Sequence, residues 1–363
     1  MNRKILKTRW WKMYNSIDVP LFITIEDDAL LKVNKIFRRS NIFINNPMIV
    51  TDKGKSSFFA ETVRRELKIK KDKVVYVTEN TDTEVARVTA YARKLKVDFV
   101  IGIGGGLALD ISKLTSYRYG SYFISIPTLP SHDGISSPVA SINVSGTRMS
   151  LNASMPVGII VDIEVIKKAP VRFIYSGIMD LLSNLSAIKD WQLSYEKGYE
   201  VRYNGFARAI AYSSAENILN FDDSDVYSEE LLRVLLNGLV LSGIAMEIAG
   251  SSRPASGAEH NFSHAYDFLY PQNFLLHGEK VGIGHLLVSY FRDKNEYSKI
   301  IECYERYGIL ESFKKLKLGR ENVLNAFEHA RTIRKERYSV LNEINMTERQ
   351  ISKAVSEVFK KIS

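Results

Sequence analysis

The sequence predicts an α/β domain, in which a parallel sheet has helices on both faces, followed by an all-helical domain. Residues 47–162 alternate short β-branched runs with segments of helical period, the pattern of a helix-covered parallel sheet. After Asp162 only helical patterns remain, and Pro170 separates two of them. A length of 363 residues suits two or three domains. We therefore expect domains over residues 1–165 and 166–363.

Each element of the first half has its own local signal. Thr81 is a good N-cap and Glu84 completes a capping-box pattern, while Ser-Gly between two alternating runs predicts a hairpin at 139–151. The predicted strands are 47–51, 73–77, 97–102 and 122–126, and the predicted helices are 57–67, 82–95 and 107–117. Helical patterns in the second half cover 163–168, 171–195, 205–219, 227–250, 256–268, 278–292 and 295–307, and continue to the C-terminus.

Composition excludes several classes of protein. With 45% apolar and 25% charged residues the chain is an ordinary globular one. The single cysteine, Cys303, allows neither an internal disulfide nor a cysteine-based zinc knuckle, so any metal must use His and carboxylate. No run reaches the ~20 apolar residues of a spanning helix, and residues 1–14 lack the apolar core of a signal peptide. We expect a soluble, cytoplasmic protein without a transmembrane segment.

The net charge of +9 invites a nucleic-acid or membrane-surface interpretation. Its positive residues are spread along helical segments, with no RNP-like aromatic motif and no long basic tail, so we expect no nucleic-acid partner. Membrane-surface binding through Trp10 and Trp11 stays open as an alternative. A basic surface also favours phosphorylated substrates.

A glycine-rich turn, GIGGGLALD at 102–110, follows the most apolar strand and opens a helix. Such turns let the main chain approach a pyrophosphate at a helix N-terminus, although a tight turn needing φ > 0 is the plainer explanation. Asp52, at the end of an earlier strand, is a candidate for the adenosine ribose hydroxyls, in reverse of the usual chain order. A polar loop, PTLPSHDGISSP at 127–138, follows the carboxyl end of a strand, where parallel α/β proteins bind ligands. The alternative interpretation is a connection that its prolines stiffen.

Histidines are few and four of the six lie in polar, glycine-containing motifs. His260 and His264 are four residues apart, hence on one helix face, and His277 stands at a predicted helix entrance. Asp180 lies inside an apolar stretch where an unpaired carboxylate would be costly. One carboxylate with two imidazoles is typical of a catalytic zinc or ferrous site, whereas any one of these histidines alone is more often a hydrogen-bonded core residue.

The motifs GIGGGLALD, IPTLPSHDGISSPVASI, GIMDLLSN, SSRPASGAEHNFSHAYD and LLHGEKVGIG, in this order, resemble the sn-glycerol-1-phosphate dehydrogenases of archaeal lipid synthesis. That family belongs to the superfamily of iron-containing alcohol dehydrogenases, glycerol dehydrogenases and dehydroquinate synthases. The resemblance runs from about Asp52 to Gly284. It departs from the family at Leu107, where a polar residue is frequent, and at Met179, which replaces a small residue.

The resemblance implies an enzyme that interconverts dihydroxyacetone phosphate and sn-glycerol 1-phosphate with NAD(H) or NADP(H), using a metal to polarise the carbonyl. Asp180, His260 and His277 would bind the metal, zinc in this family. Asp133 and His264 would contact the substrate, and Asp180 would contact it as well as the metal. His264 would position the substrate or relay a proton to it. The implied cofactor residues, besides Asp52, are Gly104, Gly105, Gly106, Leu107, Ala108, Thr128, Leu129, Pro130, Ser131 and Ser137.

Several points stay open at the level of sequence. Arg253 is our candidate for the substrate phosphate, since a guanidinium matches phosphate bidentately. Asp52 disfavours a 2′-phosphate on the cofactor, whereas Lys53 and Lys55 attract one. A glycerol or other polyol dehydrogenase would share everything except a phosphate anchor, and a non-catalytic nucleotide-binding protein would not need the metal set. We expect a homo-oligomer, since self-association is common in such enzymes.

Overall fold

The computed structural model describes residues 17–343 and 347–363. Trp10 and Trp11, on which the membrane-surface alternative rests, lie outside these ranges, as do residues 1–14 of the signal-peptide argument. The strands are β1 (Phe22–Glu26), β2 (Pro47–Asp52), β3 (Val74–Val77), β4 (Phe99–Gly104), β5 (Tyr122–Pro127), β6 (Val139–Val144), β7 (Thr147–Asn152) and β8 (Gly158–Asp162).

Helices follow the strands in the first half and make up nearly all of the second half. Those before residue 170 are α1 (Val33–Arg39), α2 (Ser56–Glu66), α3 (Asp82–Leu95), α4 (Gly106–Tyr119) and α5 (Ile163–Ile166). Those after it are α6 (Val171–Leu182), α7 (Asn184–Glu196), α8 (Gly205–Leu219), α9 (Glu229–Ala249), α10 (Ala258–Leu269), α11 (His277–Arg292), α12 (Lys294–Arg306), α13 (Ile309–Lys315), α14 (Arg320–Ala330), α15 (Val340–Glu343) and α16 (Glu348–Ile362).

In the described part of the chain, six strands form one parallel sheet in the order β1-β8-β5-β4-β2-β3. The four predicted strands are confirmed to within two residues. Two strands at one side, β1 and β8, were not predicted; β8 is a continuous apolar run without the alternation that marks a strand. Since β2 pairs with β4, with Thr51 opposite Ile103, the ends of these two strands meet at one edge of the sheet.

Alternating side chains of the sheet enter two separate cores. Ile49 of β2 packs with α1 and α2, whereas its neighbours Met48 and Val50 pack with α3 and α4. This period of two buries both faces of the strand, which is why its sequence reads as an unbroken apolar run. The predicted fold class, a parallel sheet with helices on both faces and then a helical region, is confirmed.

The predicted helix at 171–195 is two helices, α6 and α7, which meet at Ser183. The Ser183 hydroxyl donates to the Asp180 carbonyl at 2.7 Å, a side-chain bond that competes with the helical main-chain pattern. The break leaves Asp180 in the last turn of α6. The domain boundary at residue 165 stays a prediction, because one core joins Val161 of the sheet to Ile174 of α6.

Among the described residues one helix, α9, is long and apolar enough to cross a membrane. It packs along α8, and 61% of its most apolar window is buried within the protein. A helix that is buried to this extent is typically part of a protein core.

The predicted hairpin is confirmed as β6 and β7. Its turn places Ser145 and Gly146 at φ 52° and 84°, as a type I′ turn requires. The second strand contacts α10, so the hairpin spans from the sheet to the helical half. Arg148 of β7 therefore faces the space between the sheet and the helical half of the chain.

Candidate active site

A cleft opens where the carboxyl edge of the sheet, the hairpin and helices α9–α11 meet. It encloses about 710 Å³, open solvent included, and its walls bring together residues from both halves of the chain. Among the residues that line it are His132, Asp133, Arg148, His260, His264 and His277.

Three predicted metal ligands converge at the base of this cleft. One ligand atom from each of Asp180, His260 and His277 lies within 4.8 Å of the other two. Asp180 Oδ1 is 3.4 Å from His277 Nε2 and 3.7 Å from His260 Nε2. These separations suit three donors around one ion, and the set leaves a coordination position open, as a catalytic site requires.

The chemistry of these donors also fits a cation. Asp180 Oδ1 is buried and has no hydrogen-bond partner in the described structure, an arrangement that is costly without a positive charge nearby. Burial and the charge of Asp133 raise the pKa of Asp180. Burial lowers the pKa of His277 well below its usual value, which keeps the imidazole in the neutral form that binds metals.

The second oxygen of Asp180 ties the metal set to the polar loop at 127–138. Asp180 Oδ2 accepts a hydrogen bond from the main-chain N–H of Asp133 at 3.0 Å. The Asp133 carboxylate in turn accepts from Ser242 Oγ of α9 at 3.0 Å, and burial raises its pKa. Asp133 therefore presents a fixed carboxyl group to the cleft, beside the metal set.

Glu259 orients one of the ligands and was not predicted from the sequence. Its Oε1 lies 2.9 Å from His260 Nδ1 and accepts from the Gly257 N–H at 2.5 Å, so His260 Nε2 is directed at the site. Burial alone would raise the pKa of Glu259, but the bond and charge of His260 lower it to about 2. An acidic residue directly before a candidate ligand was the available signal.

His264 lies one turn after His260 on α10 and lines the same cleft, outside the three-ligand set. Burial and the positive charge of Arg334 lower its pKa well below the usual value. His264 is therefore a neutral imidazole near neutral pH, which donates a hydrogen bond from one ring nitrogen and accepts one at the other.

The glycine turn between β4 and α4 matches the geometry expected of a phosphate site. Gly104 has φ +149°, and a Cβ there would lie 2.8 Å from Ala108 Cβ and 3.0 Å from Asp52 Oδ2. Gly105 is the N-cap of α4 and supplies no side-chain cap, so the N–H groups of Gly106, Leu107 and Ala108 remain available to an anion. The structure thus brings Asp52 beside the turn.

The polar loop supports this turn from the other side. Thr128 N–H donates to the Gly104 carbonyl at 3.0 Å, and Leu129 lies 3.1 Å from the position of a Cβ on Gly105. The loop reaches the metal half through Ser131, whose carbonyl accepts from Ser176 Oγ of α6 at 2.8 Å. Its Pro130 carbonyl packs directly against Gly177 of α6, at 1.9 Å from where a Cβ would be.

A fully buried lysine, Lys113 of α4, holds the end of the same loop. Its ammonium donates to the carbonyls of Gly134 at 2.7 Å, Val139 at 3.0 Å and Ser137 at 3.1 Å, and also lies 3.3 Å from Ser137 Oγ. Sequence analysis did not predict this role, although a lysine within a buried helix face is unusual.

Arg253, the candidate for the substrate phosphate, does not line the cleft. Its side chain is 1% exposed and donates to Glu200 at 2.5 Å, to the Tyr338 carbonyl at 2.9 Å and to Ser194 at 3.3 Å. With its donors committed to these partners, Arg253 ties α7 to the C-terminal segment. The sequence could not reveal this, because Glu200 and Tyr338 are distant along the chain.

Comparison with known proteins agrees with this geometry. The iron-containing alcohol dehydrogenase family model matches residues 24–170. A glycerol-1-phosphate dehydrogenase, NAD(P)+-type, of Pyrococcus furiosus is 39% identical over 315 residues, 85% of this chain and 90% of that protein. The enzyme of the same name from Sulfurisphaera tokodaii is 36% identical over 352 residues, 94% and 97% of the two chains.

Solved structures share the fold at lower identity. A probable glycerol dehydrogenase from Sinorhizobium meliloti superposes with a TM-score of 0.77 at 19% identity, over 96% of this chain and 99% of that one. Glycerol dehydrogenase from Schizosaccharomyces pombe gives 0.73 at 19% identity, over 96% and 92%. By its relatives over most of its length, this chain belongs to the NAD(P)-dependent glycerol-1-phosphate dehydrogenases, within the iron-containing alcohol dehydrogenases.

Proposed function

We propose that the protein reduces dihydroxyacetone phosphate to sn-glycerol 1-phosphate with NADH or NADPH, and so supplies the glycerophosphate of archaeal ether lipids. The observation that carries this proposal is that His132 links the glycine turn to the set Asp180, His260 and His277. Its Nε2 lies 2.7 Å from where a Cβ on Gly106 would be, and its ring centroid lies 5.9 Å from that of His277. Family membership supports the same reaction. We place the enzyme in the cytoplasm, because its single cysteine is buried and unpaired. We also propose a homo-oligomer, since self-association is common in such enzymes.

The glycine turn holds the cofactor pyrophosphate through the main-chain N–H groups that open α4. Asp52, beside Gly104, accepts from the adenosine ribose hydroxyls. The polar loop at 127–138 would hold the nicotinamide half. The residues assigned to that half are Thr128, Leu129, Pro130, Ser131 and Ser137.

Asp180, His260 and His277 hold one divalent metal, for which we propose zinc, since two imidazoles, one carboxylate and an open position are a frequent zinc arrangement. When bound, the metal polarises the C2 carbonyl of the substrate and the nicotinamide supplies the hydride. Glu259 keeps His260 in the tautomer that leaves Nε2 free for this purpose.

The remaining work falls to groups that position the substrate and handle one proton. The Asp133 carboxyl group, held by Ser242, hydrogen-bonds the C1 hydroxyl of the substrate. His264, neutral and half-buried in the cleft wall, donates a ring N–H to the C2 oxygen as negative charge develops there. That proton passes to the product hydroxyl, and solvent at the cleft mouth restores it.

A spectrophotometric assay tests the proposal. The metal-loaded enzyme is given dihydroxyacetone phosphate or dihydroxyacetone, each with NADH and with NADPH, and the product is resolved on a chiral phase. We expect the phosphate ester to be preferred by at least about 10-fold, and only the sn-1 isomer to form. Equal turnover of both ketones would favour a polyol dehydrogenase instead.

A further inference from the structure

We propose that Arg334 and Arg337, in the segment after α14, form the subsite that binds the phosphate of the substrate, with Arg148 of β7 closing it at the cleft mouth. This inference rests on the proposed function and names the anchor that separates a phosphorylated ketose from a free one. Neither the spacing of these residues nor any motif around them points to it.

Neither guanidinium group lines the cleft itself, but both lie next to serines that do. Arg337 donates to Ser252 Oγ at 2.7 Å and to the Ser256 carbonyl at 3.1 Å, and Arg334 lies 3.3 Å from Ser256 Oγ. Ser252 and Ser256 are in the cleft wall with His260 and His264. Arg334 also lines a neighbouring groove whose wall includes His264, and after burial its charge is the next cause that lowers the pKa of His264.

Arg334 and Arg337 lack the carboxylate partners that other partly or fully buried arginines of this protein have. Arg253 pairs with Glu200, Arg292 with Asp190 and Arg172 with Glu279. Within the described residues Arg334 and Arg337 have no carboxylate within 4.0 Å, and residues 1–16 and 344–346 contain no Asp or Glu at all.

The environment of the pair therefore calls for an anion. Burial lowers the pKa of Arg334 to about 10 and that of Arg337 to about 9, and in the latter the charge of Arg334 adds to the effect, while the negative charge of Glu336 offsets part of the lowering in both. Both remain charged at neutral pH. Two shielded positive groups with free donor capacity are unfavourable alone and match the several oxygens of a phosphate.

Position assigns that phosphate to the substrate rather than to the cofactor. The cofactor turn lies at Gly104 and Asp52, across the sheet edge, whereas the arginines adjoin Ser256 and His264 at the start of α10. In the substrate only a methylene and an ester oxygen separate the carbonyl carbon from phosphorus. Arg148 faces the same space from the hairpin, where its Nε donates to Ser141 Oγ at 2.7 Å.

The test replaces Arg334 and Arg337 by Met, singly and together, and compares them with Arg331→Met, an exposed arginine in the same segment. Each single change should raise KM for dihydroxyacetone phosphate roughly 10- to 100-fold, the usual cost of a lost charge-assisted hydrogen bond. Turnover of dihydroxyacetone, KM for NADH and NADPH, and bound metal should stay near wild type. Arg334→Lys should recover part of the loss.

A measurement on the unaltered enzyme guards against variants that fail to fold. Phenylglyoxal modification, mapped by mass spectrometry, should be slowed at Arg334 and Arg337 by inorganic phosphate, and unaffected at Arg331. Equal protection at all three, or no protection, would overturn the subsite, and so would variants with wild-type KM. If instead the wild-type enzyme does not prefer the phosphate ester, the proposed function itself fails. A rise in KM for NADPH alone would assign the anion to the cofactor.

Discussion

On one side of the cleft the functional groups belong to the main chain, and on the other side they belong to side chains. The proposed cofactor side consists of main chain, with Gly104 and Gly105 opening α4, and its donors belong to no particular side chain. The proposed metal side consists of the individual side chains Asp180, His260 and His277. The cofactor side therefore requires small residues that leave room for the ligand, whereas the metal side requires side chains with particular donor atoms.

This contrast also explains how each side is held in place. On the cofactor side the polar loop packs against the turn, and small residues allow the close approach. On the metal side further polar groups orient the functional ones, as Glu259 does for His260 and Ser242 for Asp133. Substitutions should therefore fall into steric effects on one side and graded chemical effects on the other.

The largest effect should come from His260→Ala, which removes one of three ligands. We expect loss of the metal together with a fall in kcat/KM on the order of 10³-fold or more, since Lewis-acid stabilisation contributes several kcal/mol. Metal analysis and a steady-state assay measure both. The matched control is His329→Ala, a half-buried histidine on α14 that does not line the cleft, which should retain both. Full metal occupancy in His260→Ala would remove this residue from the ligand set.

His264→Ala should separate substrate chemistry from metal binding on the same helix face. Because His264 lies outside the ligand set, metal content and cofactor affinity should remain near wild type while kcat/KM falls roughly 10²-fold. The pair His260→Ala and His264→Ala thus forms its own control. Loss of metal in His264→Ala would place it in the coordination shell and exchange its role with that of His277.

Glu259→Gln keeps the shape of the side chain and removes its charge. With the orienting carboxylate gone, metal affinity should fall roughly 10- to 100-fold, and excess metal should restore most activity. Titration of the apo-enzyme with zinc measures this. If added zinc does not rescue turnover, Glu259 acts on the reaction by a route other than orienting His260.

The smallest and purely steric effect is expected from Gly105→Val. A Cβ there lies 3.1 Å from Leu129, so a branched side chain crowds the loop and the phosphate position, and the Kd for NADH should rise roughly tenfold. Gly205→Ala, at an open position on α8, serves as the matched glycine control. Fluorescence titration measures both. Unchanged affinity in Gly105→Val would move the pyrophosphate away from this turn.

What the sequence determined by itself is local. The apolar run of β2, the glycine turn, the Thr81 cap and the Ser145–Gly146 turn each depend on neighbours a few residues away, and the structure confirms these elements. Residue chemistry likewise singled out Asp180, since an acid in an apolar stretch needs a partner wherever the chain folds.

Contacts between residues far apart in the chain became visible only in the folded protein. The pairing of β2 with β4 brings Asp52 to the glycine turn despite its position earlier in the chain. Arg253, attractive in its motif, is committed to Glu200, while Arg334 approaches the cleft from a segment with no motif. The physical reason is that a local pattern records main-chain period and turn chemistry, whereas these encounters follow from how apolar faces far apart in sequence pack into a shared core.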